Sequence, residues 1–440
     1  MNPLQLMSAF MLLGLLFSML VTFLRQQIFT RKEFYHNFVR SFRHLEQEIR
    51  DILNPPGANI ETLLTERANS NQRLIRALQI SNTFVSPDVV VHDQFVKQAR
   101  QLLNAAKRRG WESLQFTAIE AVKWQLEHGE DKSNLRFDSF VQNITLVVVL
   151  MGILQIEEPV DALSYDDITL VANQITTLWS LSKKSDPIPP IILQQLQAAI
   201  RRLVIDEDRF PDPLNFVIPS WETLWRVVAT TVAYSCRDQR LYDTFHNFNV
   251  FPSEDSFGQG QGDISVQSIV FEAMRLHPPS RHIGRLRHWM WCPNFVRKWV
   301  TVKKSADIEG LLRCDIWGAD SDRFAPSRFR LGGDLIGERE TALRFVFGHG
   351  PLKCIASSWA PMAAAVVSGA ILKQLGESGL VIESGPEIGG RGGWNGWSVT
   401  RIILYPRPWH CGSARSPRPY GILDEWEGEE QPDCQHLQGS

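Results

Sequence analysis

Apolar residues at three- and four-residue intervals are the feature that most constrains the fold of this chain. Segments 91–115, 137–154 and 189–205 each carry this spacing, and prolines or glycines separate them, which predicts helices. Strand patterns are confined to the last third, where 379–385 and 397–408 flank a glycine-rich stretch and predict a hairpin. The sequence therefore predicts a mainly α-helical protein with small β-sheets (α+β).

The composition allows a large folded core. Of the 440 residues, 44% are hydrophobic and 21% are charged, so the chain is not disordered by composition and forms one large domain or two ordinary ones. The formal net charge of −2 gives no reason to expect nucleic-acid binding, which needs a concentrated basic surface. Six scattered cysteines without a CxxC pair argue against a disulfide framework or a zinc cage and leave single thiols.

The amino-terminal segment Met1–Leu24 contains no charged side chain. As a helix it would span about 36 Å at about 1.5 Å per residue, enough for a bilayer core of about 30 Å. Arg25, Arg31 and Lys32 follow directly, so the positive-inside rule predicts a single-pass anchor with the rest of the chain in the cytosol. A cleaved signal peptide is the alternative, but neither a basic start nor a small-residue cleavage site is evident.

A lone cysteine stands behind a glycine-tightened loop in residues 345–356, FVFGHGPLKCIA. Gly348 and Gly350 permit a tight turn, and a helix is predicted to begin directly after Cys354. Backbone N–H groups at a helix start stabilise a thiolate, which is what a soft metal or an iron centre needs. A buried structural cysteine would look similar, so the loop by itself leaves both interpretations open.

Two further stretches carry charged residues of interest. Glu272 and Arg275 lie three residues apart, where they can pair on one helix face, and a double proline then ends the helix. Arg328 lies in a proline-bounded loop, WGADSDRFAPSRF. By itself, a Glu–Arg pair is usually an ion pair on the protein surface, and a loop of this composition is usually an ordinary loop.

Together, the three stretches resemble the haem-thiolate cytochrome P450 monooxygenases. The family's E-x-x-R-L-x-P-P is similar to residues 272–279, its D-x-x-x-F-x-P-x-R-F loop to residues 320–329, and its cysteine loop, F-x-x-G-x-R-x-C-x-G, to residues 347–356. Their order and spacing also agree with the family. The resemblance is firm from about Pro213 to Pro408, thin before that, and closest to shortened, membrane-anchored fungal members of secondary metabolism.

The resemblance implies a cytochrome P450 fold, an N-terminal transmembrane helix and haem b (iron protoporphyrin IX). Cys354 would be the axial ligand of the haem iron. The other residues implied to bind the cofactor are Phe347, Gly350, Arg285 and Lys353. Glu272, Arg275 and Arg328 would hold the cysteine loop in place and would not take part in catalysis.

A helical stretch upstream, PSWETLW, is similar to the family's acid–alcohol pair. The match makes Glu222 and Thr223 the candidate catalytic residues, which would deliver protons in a site otherwise closed to water. Ordinary helix packing is the alternative, because Trp221, Leu224 and Trp225 stand at packing intervals.

Three departures from the family's pattern concern the cofactor and oxygen sites. Leu352 stands where the family usually has a propionate-binding arginine, and Pro219-Ser220 replaces the small pair of the oxygen-binding groove. The family's Trp-x-x-x-Arg motif has no clear copy, and Trp124 to His128 is the nearest stretch. These departures concern haem affinity and activity rather than the fold.

Four parts are predicted along the chain: an anchor (1–24), a linker or first helix (25–60), a haem-thiolate catalytic domain (61–407) and a C-terminal tail (408–440). The resemblance implies an endoplasmic-reticulum membrane protein with a cytosolic catalytic domain. Its electrons would come from NADPH through NADPH–cytochrome P450 reductase, which would dock near Arg344, His349 and Lys353. Membrane lipid and a small apolar substrate are the other expected partners.

The function that this resemblance favours is hydroxylation or epoxidation of an apolar small molecule in fungal secondary metabolism. Two alternatives stay open. One is a degenerate membrane protein of the same fold without turnover, and the other is an oxygen-independent haem-thiolate isomerase or dehydratase. Cys354 favours a retained haem, whereas Leu352 and Pro219 favour the degenerate protein.

Overall fold

The computed structural model describes residues 18–19, 41–129, 134–261, 263–288, 301–330 and 335–401, and this part of the chain is mostly helical. Residues 41–53 form helix α1. The α-helices that follow are α2 (Ile60–Leu78), α3 (Val89–His128), α4 (Phe137–Val148), α5 (Tyr165–Leu181), α6 (Pro190–Leu203), α7 (Leu214–Trp221), α8 (Leu224–Ser235), α9 (Gln239–Phe248), α10 (Glu254–Gly258), α11 (Val266–Leu276), α12 (Ile308–Arg313), α13 (Ile336–Arg344) and α14 (Ala360–Glu377).

Short antiparallel sheets accompany the helices. The strands in the described ranges are β1 (Asn134–Arg136), β2 (Gly260–Gln261), β3 (Ile264–Ser265), β4 (His282–His288), β5 (Thr301–Asp307), β6 (Leu380–Glu383) and β7 (Ser398–Arg401). They pair as β1-β7-β6, β2-β3 and β4-β5. In the three-stranded sheet, Val399 stands opposite both Leu135 and Ile382, so one apolar row crosses all three strands.

Helix α4 continues into a π-helical turn, Val149–Leu154, and lies in the core. Within the described ranges, 137–154 is the segment long and apolar enough to cross a membrane, with a mean hydropathy of 1.8, and 83% of it is buried inside the protein. Polar groups on it bond within the protein: the Trp221 indole N–H donates to the Gln142 carbonyl at 3.0 Å, and the Asn143 amide donates to Thr169 Oγ1 at 2.9 Å. These contacts are those of a core helix.

Helix α11 begins at a capping box. The Ser265 hydroxyl accepts the N–H of Ser268 at 3.1 Å, and the Ser268 hydroxyl accepts the N–H of Ser265 at 3.0 Å. These bonds satisfy two backbone donors that a helix start leaves without an intrahelical partner. The helix therefore starts at a defined residue and brings Glu272 and Arg275 into the core, where both side chains are 0% exposed.

Glu272 and Arg275 form a two-pronged ion pair. Arg275 donates to the two carboxylate oxygens of Glu272 at 2.7 and 2.8 Å. Arg328 approaches the same carboxylate, with Nε at 3.3 Å from Oε1, and the backbone N–H of Ala325 donates to that oxygen at 2.9 Å. The three side chains that the motifs single out are therefore in contact, and they join α11 to the loop that precedes α13.

The remaining donors of Arg275 also have partners. Its guanidinium donates to the carbonyls of Leu312 at 3.0 Å and Arg323 at 3.2 Å, and it stacks over the Trp317 ring at 5.0 Å. A buried charge is tolerated when its hydrogen bonds are satisfied in this way. The pair thus fixes the positions of three separate segments of the chain.

The mainly α-helical prediction is confirmed, and helices cover most of the three periodic segments. The hairpin prediction is confirmed by the pairing of β6 with β7. Confinement of strands to the last third is wrong, because β1 forms at residues 134–136 and pairs with the distant β7. Of the predicted anchor, 1–24, only residues 18–19 are described, and the tail, 408–440, lies outside the described residues, so these boundaries stay predictions.

Replacing Arg275 by alanine should lower the free energy of unfolding by about 3–5 kcal/mol, because Glu272 would be left buried without its main partner. Denaturant unfolding followed by circular dichroism measures the change. Arg240→Ala is the matched control: this side chain is 80% exposed and pairs with Asp238 at 3.5 Å, so its loss should change stability by less than about 1 kcal/mol. Equal stability of Arg275→Ala and the control would contradict a structural role of the buried pair.

Candidate functional site

The loop before Cys354 forms tight turns that depend on glycine. Gly348 and Gly350 have φ of 77° and 71°, in the left-handed region that favours glycine. A Cβ added to Gly350 would lie 2.7 Å from Cβ of Asn54, so the loop packs directly against the segment after α1. The N–H of Cys354 donates to the carbonyl of Phe347 at 2.8 Å, which closes the loop around the thiol.

Helix α14 does not begin directly after Cys354, as predicted, but at Ala360. Residues 355–359 form turns, and the last of them, Trp359, stacks on Trp111 of α3 with ring centroids 5.7 Å apart. Next to Trp111, Gly110 interrupts α3 with φ of 81° and ψ of 168°. The turn after the thiol is therefore held by the packing of two tryptophans rather than by the first turn of the helix.

The thiol of Cys354 is exposed, yet its surroundings are not those of open water. Desolvation by the surrounding protein raises the pKa of this thiol, while the N–H of Ala356 and the charge of Lys353 act in the opposite direction. An accessible but desolvated side chain lies in a recess rather than on a convex surface. Bound metal would offset the raised pKa, since a coordinating thiol is deprotonated outright.

The other described cysteines are less accessible. Cys236 is half-buried, its S–H donates to the carbonyl of Ala233 at 3.4 Å, and burial raises the pKa of its thiol to about 11. Cys314 is also half-buried, and burial raises its pKa. Among the described cysteines, Cys354 is thus the one whose sulfur can be reached by an incoming ligand.

A break between α7 and α8 presents Thr223. Pro219 inside α7 removes a backbone donor from the helix that leads to the break. Thr223 is exposed, although Trp221, Glu222 and Leu224 beside it are buried. The predicted alcohol is therefore accessible to a ligand within an otherwise packed segment.

Glu222 is anchored between two arginines. Arg226 donates to one carboxylate oxygen at 2.7 Å, and Arg391 pairs with the other. Arg226 also donates to the carbonyl of Pro279 at 2.8 Å, in the turn that follows α11. The predicted acid is thus held as an ion pair, which connects the break in the helix to the glycine-rich segment 385–396.

Positive charge also concentrates where α2 packs on β4. Arg67 is 7% exposed and Arg285 is 5% exposed. Burial, together with the nearby charge of Arg285, lowers the pKa of Arg67 to about 9. The Nε of Arg67 is buried without a hydrogen-bond partner. Buried like charges of this kind favour an anionic ligand between them.

This cationic region extends to the first half of α3. His92 Nδ1 lies 2.7 Å from the Thr83 hydroxyl, which Arg67 also contacts, and burial together with Arg67 lowers the pKa of His92. Arg100, one of the charges acting on His92, lines a cavity of about 270 Å³ between α3 and the turn after Cys354. Arg67, His92 and Arg100 were not identified from the sequence; only the position of Arg100 near the start of a periodic helix could have suggested it.

The structure gives the other candidate residues different settings. Trp124, the nearest match to the Trp-x-x-x-Arg motif, packs on Tyr165 at 5.5 Å at the far end of α3 from Arg100. Lys353 is exposed. His349 lies within 3.1 Å of an Arg50 guanidinium nitrogen, so this part of the expected reductase-docking surface also includes α1.

The donor set fits haem b better than a bare metal ion. Among the described residues, no group of three or more His, Cys, Asp or Glu side chains could hold a metal. One accessible thiol and separate buried arginines instead match a cofactor that takes a single axial thiolate and carries two carboxylates. Cys354 could bind the iron, while Arg67, Arg285 and Arg100 could bind the carboxylates.

Comparisons with known proteins identify the fold. No family model matches the chain, and no curated protein matches it by sequence. Solved structures do match: the haem domain of cytochrome P450DA (TM-score 0.51, 12% identity, 74% of this chain and 81% of that one) and its triple mutant (0.51, 15%, 74% and 80%). CYP154A1 from Streptomyces coelicolor A3(2) is similar at a TM-score of 0.47 with 15% identity, over 76% of this chain and 84% of that one. The chain therefore has the fold of a cytochrome P450 haem domain.

Proposed function

We propose that this protein is a haem-thiolate monooxygenase that hydroxylates or epoxidises a largely apolar small molecule. The observation that carries the proposal is the accessible, partly desolvated thiol of Cys354 on its glycine-tightened loop. This loop occurs in a chain with the fold of a cytochrome P450 haem domain. The fold by itself would not assign a reaction, because one fold can host several functions.

Haem b, when bound, supplies the oxygen chemistry, and the protein supplies the ligand, the orientation and the enclosure. In the proposed site, the backbone N–H of Ala356 limits how much charge the Cys354 sulfur carries. Arg67 and Arg285 would hold the cofactor carboxylates, which would offset the repulsion between these two guanidinium groups. The tryptophan pair Trp111–Trp359 keeps the turn after the thiol in place.

Proton delivery is the role that we assign to Thr223 and Glu222. The Thr223 hydroxyl is accessible and can donate a proton while it accepts one from water. The Glu222 carboxylate is held in position by its two arginine partners and orients the acidic end of this path.

The partners and the location follow from the resemblance and remain part of the proposal. NADPH–cytochrome P450 reductase would supply electrons at the surface that carries Arg344, His349 and Lys353. A membrane anchor at 1–24 would hold the protein on the cytosolic face of the endoplasmic reticulum, where an apolar substrate dissolved in lipid can reach it. Fungal secondary metabolism is the setting that the sequence motifs favour.

Replacing Cys354 by serine should abolish the thiolate-type absorption of the reduced, carbon-monoxide-bound protein, because a serine hydroxyl does not supply the thiolate ligand. Cys236→Ser is the matched control, since serine can keep the bond to the Ala233 carbonyl, and it should retain the full signal. Circular dichroism shows whether both variants are folded. A wild-type spectrum from folded Cys354→Ser would remove Cys354 as the ligand.

Replacing Thr223 by alanine should raise the hydrogen peroxide released per NADPH consumed, while haem content and substrate affinity stay close to those of the wild type. The reason is that the accessible hydroxyl is lost without disturbing buried packing. The measurement uses protein reconstituted with the reductase and a substrate found by its effect on haem absorption. Thr223→Ser keeps the hydroxyl and should behave like the wild type; unchanged coupling in Thr223→Ala would exclude the relay.

A further inference from the structure

Four cations surround the Glu222 carboxylate. The charges that act on Lys183 are those of Arg391, Arg73 and Arg226, all positive, and that of Glu222, which alone is negative. They come from α2, α8, the end of α5 and the glycine-rich segment 385–396. The described part of this cluster therefore carries three more positive charges than negative ones.

Trp179 forms cation–π contacts with two of these cations. Its ring lies 4.5 Å from the Arg391 guanidinium carbon and 5.1 Å from that of Arg73. Arg73 also donates to the Ser182 hydroxyl at 2.5 Å, so its position is fixed from two sides. Cation–π contacts of this kind hold a guanidinium in place without neutralising its charge.

Donors in the cluster are left without an acceptor. Arg391 Nε is buried and has no hydrogen-bond partner, although the same side chain pairs with Glu222. Burial lowers the pKa of Arg391 to about 10, which indicates a site poor in water. Lys183 is exposed at the edge of the cluster and forms no ion pair with any described residue.

The segment that carries Arg391 is a glycine-rich turn with defined anchors. Gly389 and Gly390 precede Arg391 with φ of 100° and 66°, and two glycines follow it. Trp394, which is 3% exposed, donates from its indole N–H to the Gly390 carbonyl at 3.1 Å and anchors the turn. The Arg391 guanidinium is therefore presented by a turn of fixed backbone geometry, with its Nε still without an acceptor.

The cluster also adjoins the proposed site of reaction. Glu222, its centre, directly precedes the exposed Thr223, and Arg226 joins Glu222 to the turn at Pro279. A ligand whose anionic end contacts Arg391 and Lys183 would thus bind beside the residue that neighbours Thr223 in the chain.

We propose that the substrate carries a carboxylate, which Arg391, Arg73 and Lys183 bind while the apolar remainder extends toward Thr223. This inference rests on the proposed function and narrows its substrate class from apolar molecules to apolar acids. Carboxylates suit the site because a guanidinium can bind both of their oxygens, and the bond is strengthened where water is excluded. Binding would bring a second negative charge to a cluster that holds one.

The test measures binding by titration calorimetry, which does not depend on turnover. Dodecanoic, 4-phenylbutanoic and geranic acids are each compared with their methyl esters on the haem-loaded wild-type protein. At least one acid should bind about tenfold or more tightly than its ester. In Arg391→Gln the ratio of the ester's Kd to the acid's Kd should fall close to one. In Lys183→Gln this ratio should fall only in part, because that side chain lies at the edge of the cluster.

Arg240→Gln, on the distant exposed pair with Asp238, should keep the full preference for the acid. Absence of any acid preference in the wild type would overturn the inference, and so would a preference that survives unchanged in Lys183→Gln, whose exposed position avoids a folding defect. The carbon-monoxide spectrum of the same wild-type sample separates the two proposals. A normal thiolate spectrum without any preference for the acid would overturn only the proposal of a carboxylate substrate. A preference for the acid without that spectrum would overturn the proposal of a monooxygenase.

Discussion

The buried ion pair of Glu272 and Arg275 is the interaction on which the rest of the structure depends. Removing two charges from water costs several kcal/mol per ion, and this pair is tolerated because nearly every donor and acceptor finds a partner. Those partners, the carbonyls of Leu312 and Arg323 and the N–H of Ala325, all belong to residues 312–325, well beyond α11 in the sequence. The contacts of the Glu272 carboxylate thereby determine the path of the chain between α11 and the cysteine loop.

Local patterns allowed some elements to be predicted, and long-range contacts explain the rest. Segment 137–154 was predictable because its apolar residues repeat at helical intervals, and the proximity of Glu272 to Arg275 follows from their spacing in one helix. The short strand β1 was not predictable, since its partner β7 lies more than 260 residues later. The late start of α14 reflects the tertiary contact between Trp111 and Trp359, which the run of helix-forming residues after Cys354 does not reveal.

Two regions of locally unbalanced charge were identified from the sequence only in part, through Arg285 at one and Glu222 at the other. Arg67 and Arg285 face each other beside the cysteine loop, and Arg73, Arg391 and Lys183 gather around Glu222. In a chain whose net charge is close to neutral, such local excesses are a property of the fold, not of the composition. The residues that join them could not be predicted from the sequence, because Arg67 and Arg285, like Glu222 and Arg391, come from distant segments. In our proposals both regions bind ligands that bring carboxylates, the cofactor at one and the substrate at the other.

The apolar helix at 137–154 has a consequence for the biosynthesis of the chain. By hydropathy it would pass for a membrane segment, and the sequence already offers one such segment at its amino terminus. The segment 137–154 is fully covered only after residues beyond position 220 have been made, since the Trp221 indole donates to the Gln142 carbonyl. We therefore expect a variant that delays this packing to leave exposed, for longer, a helix with the length and hydropathy of a membrane span.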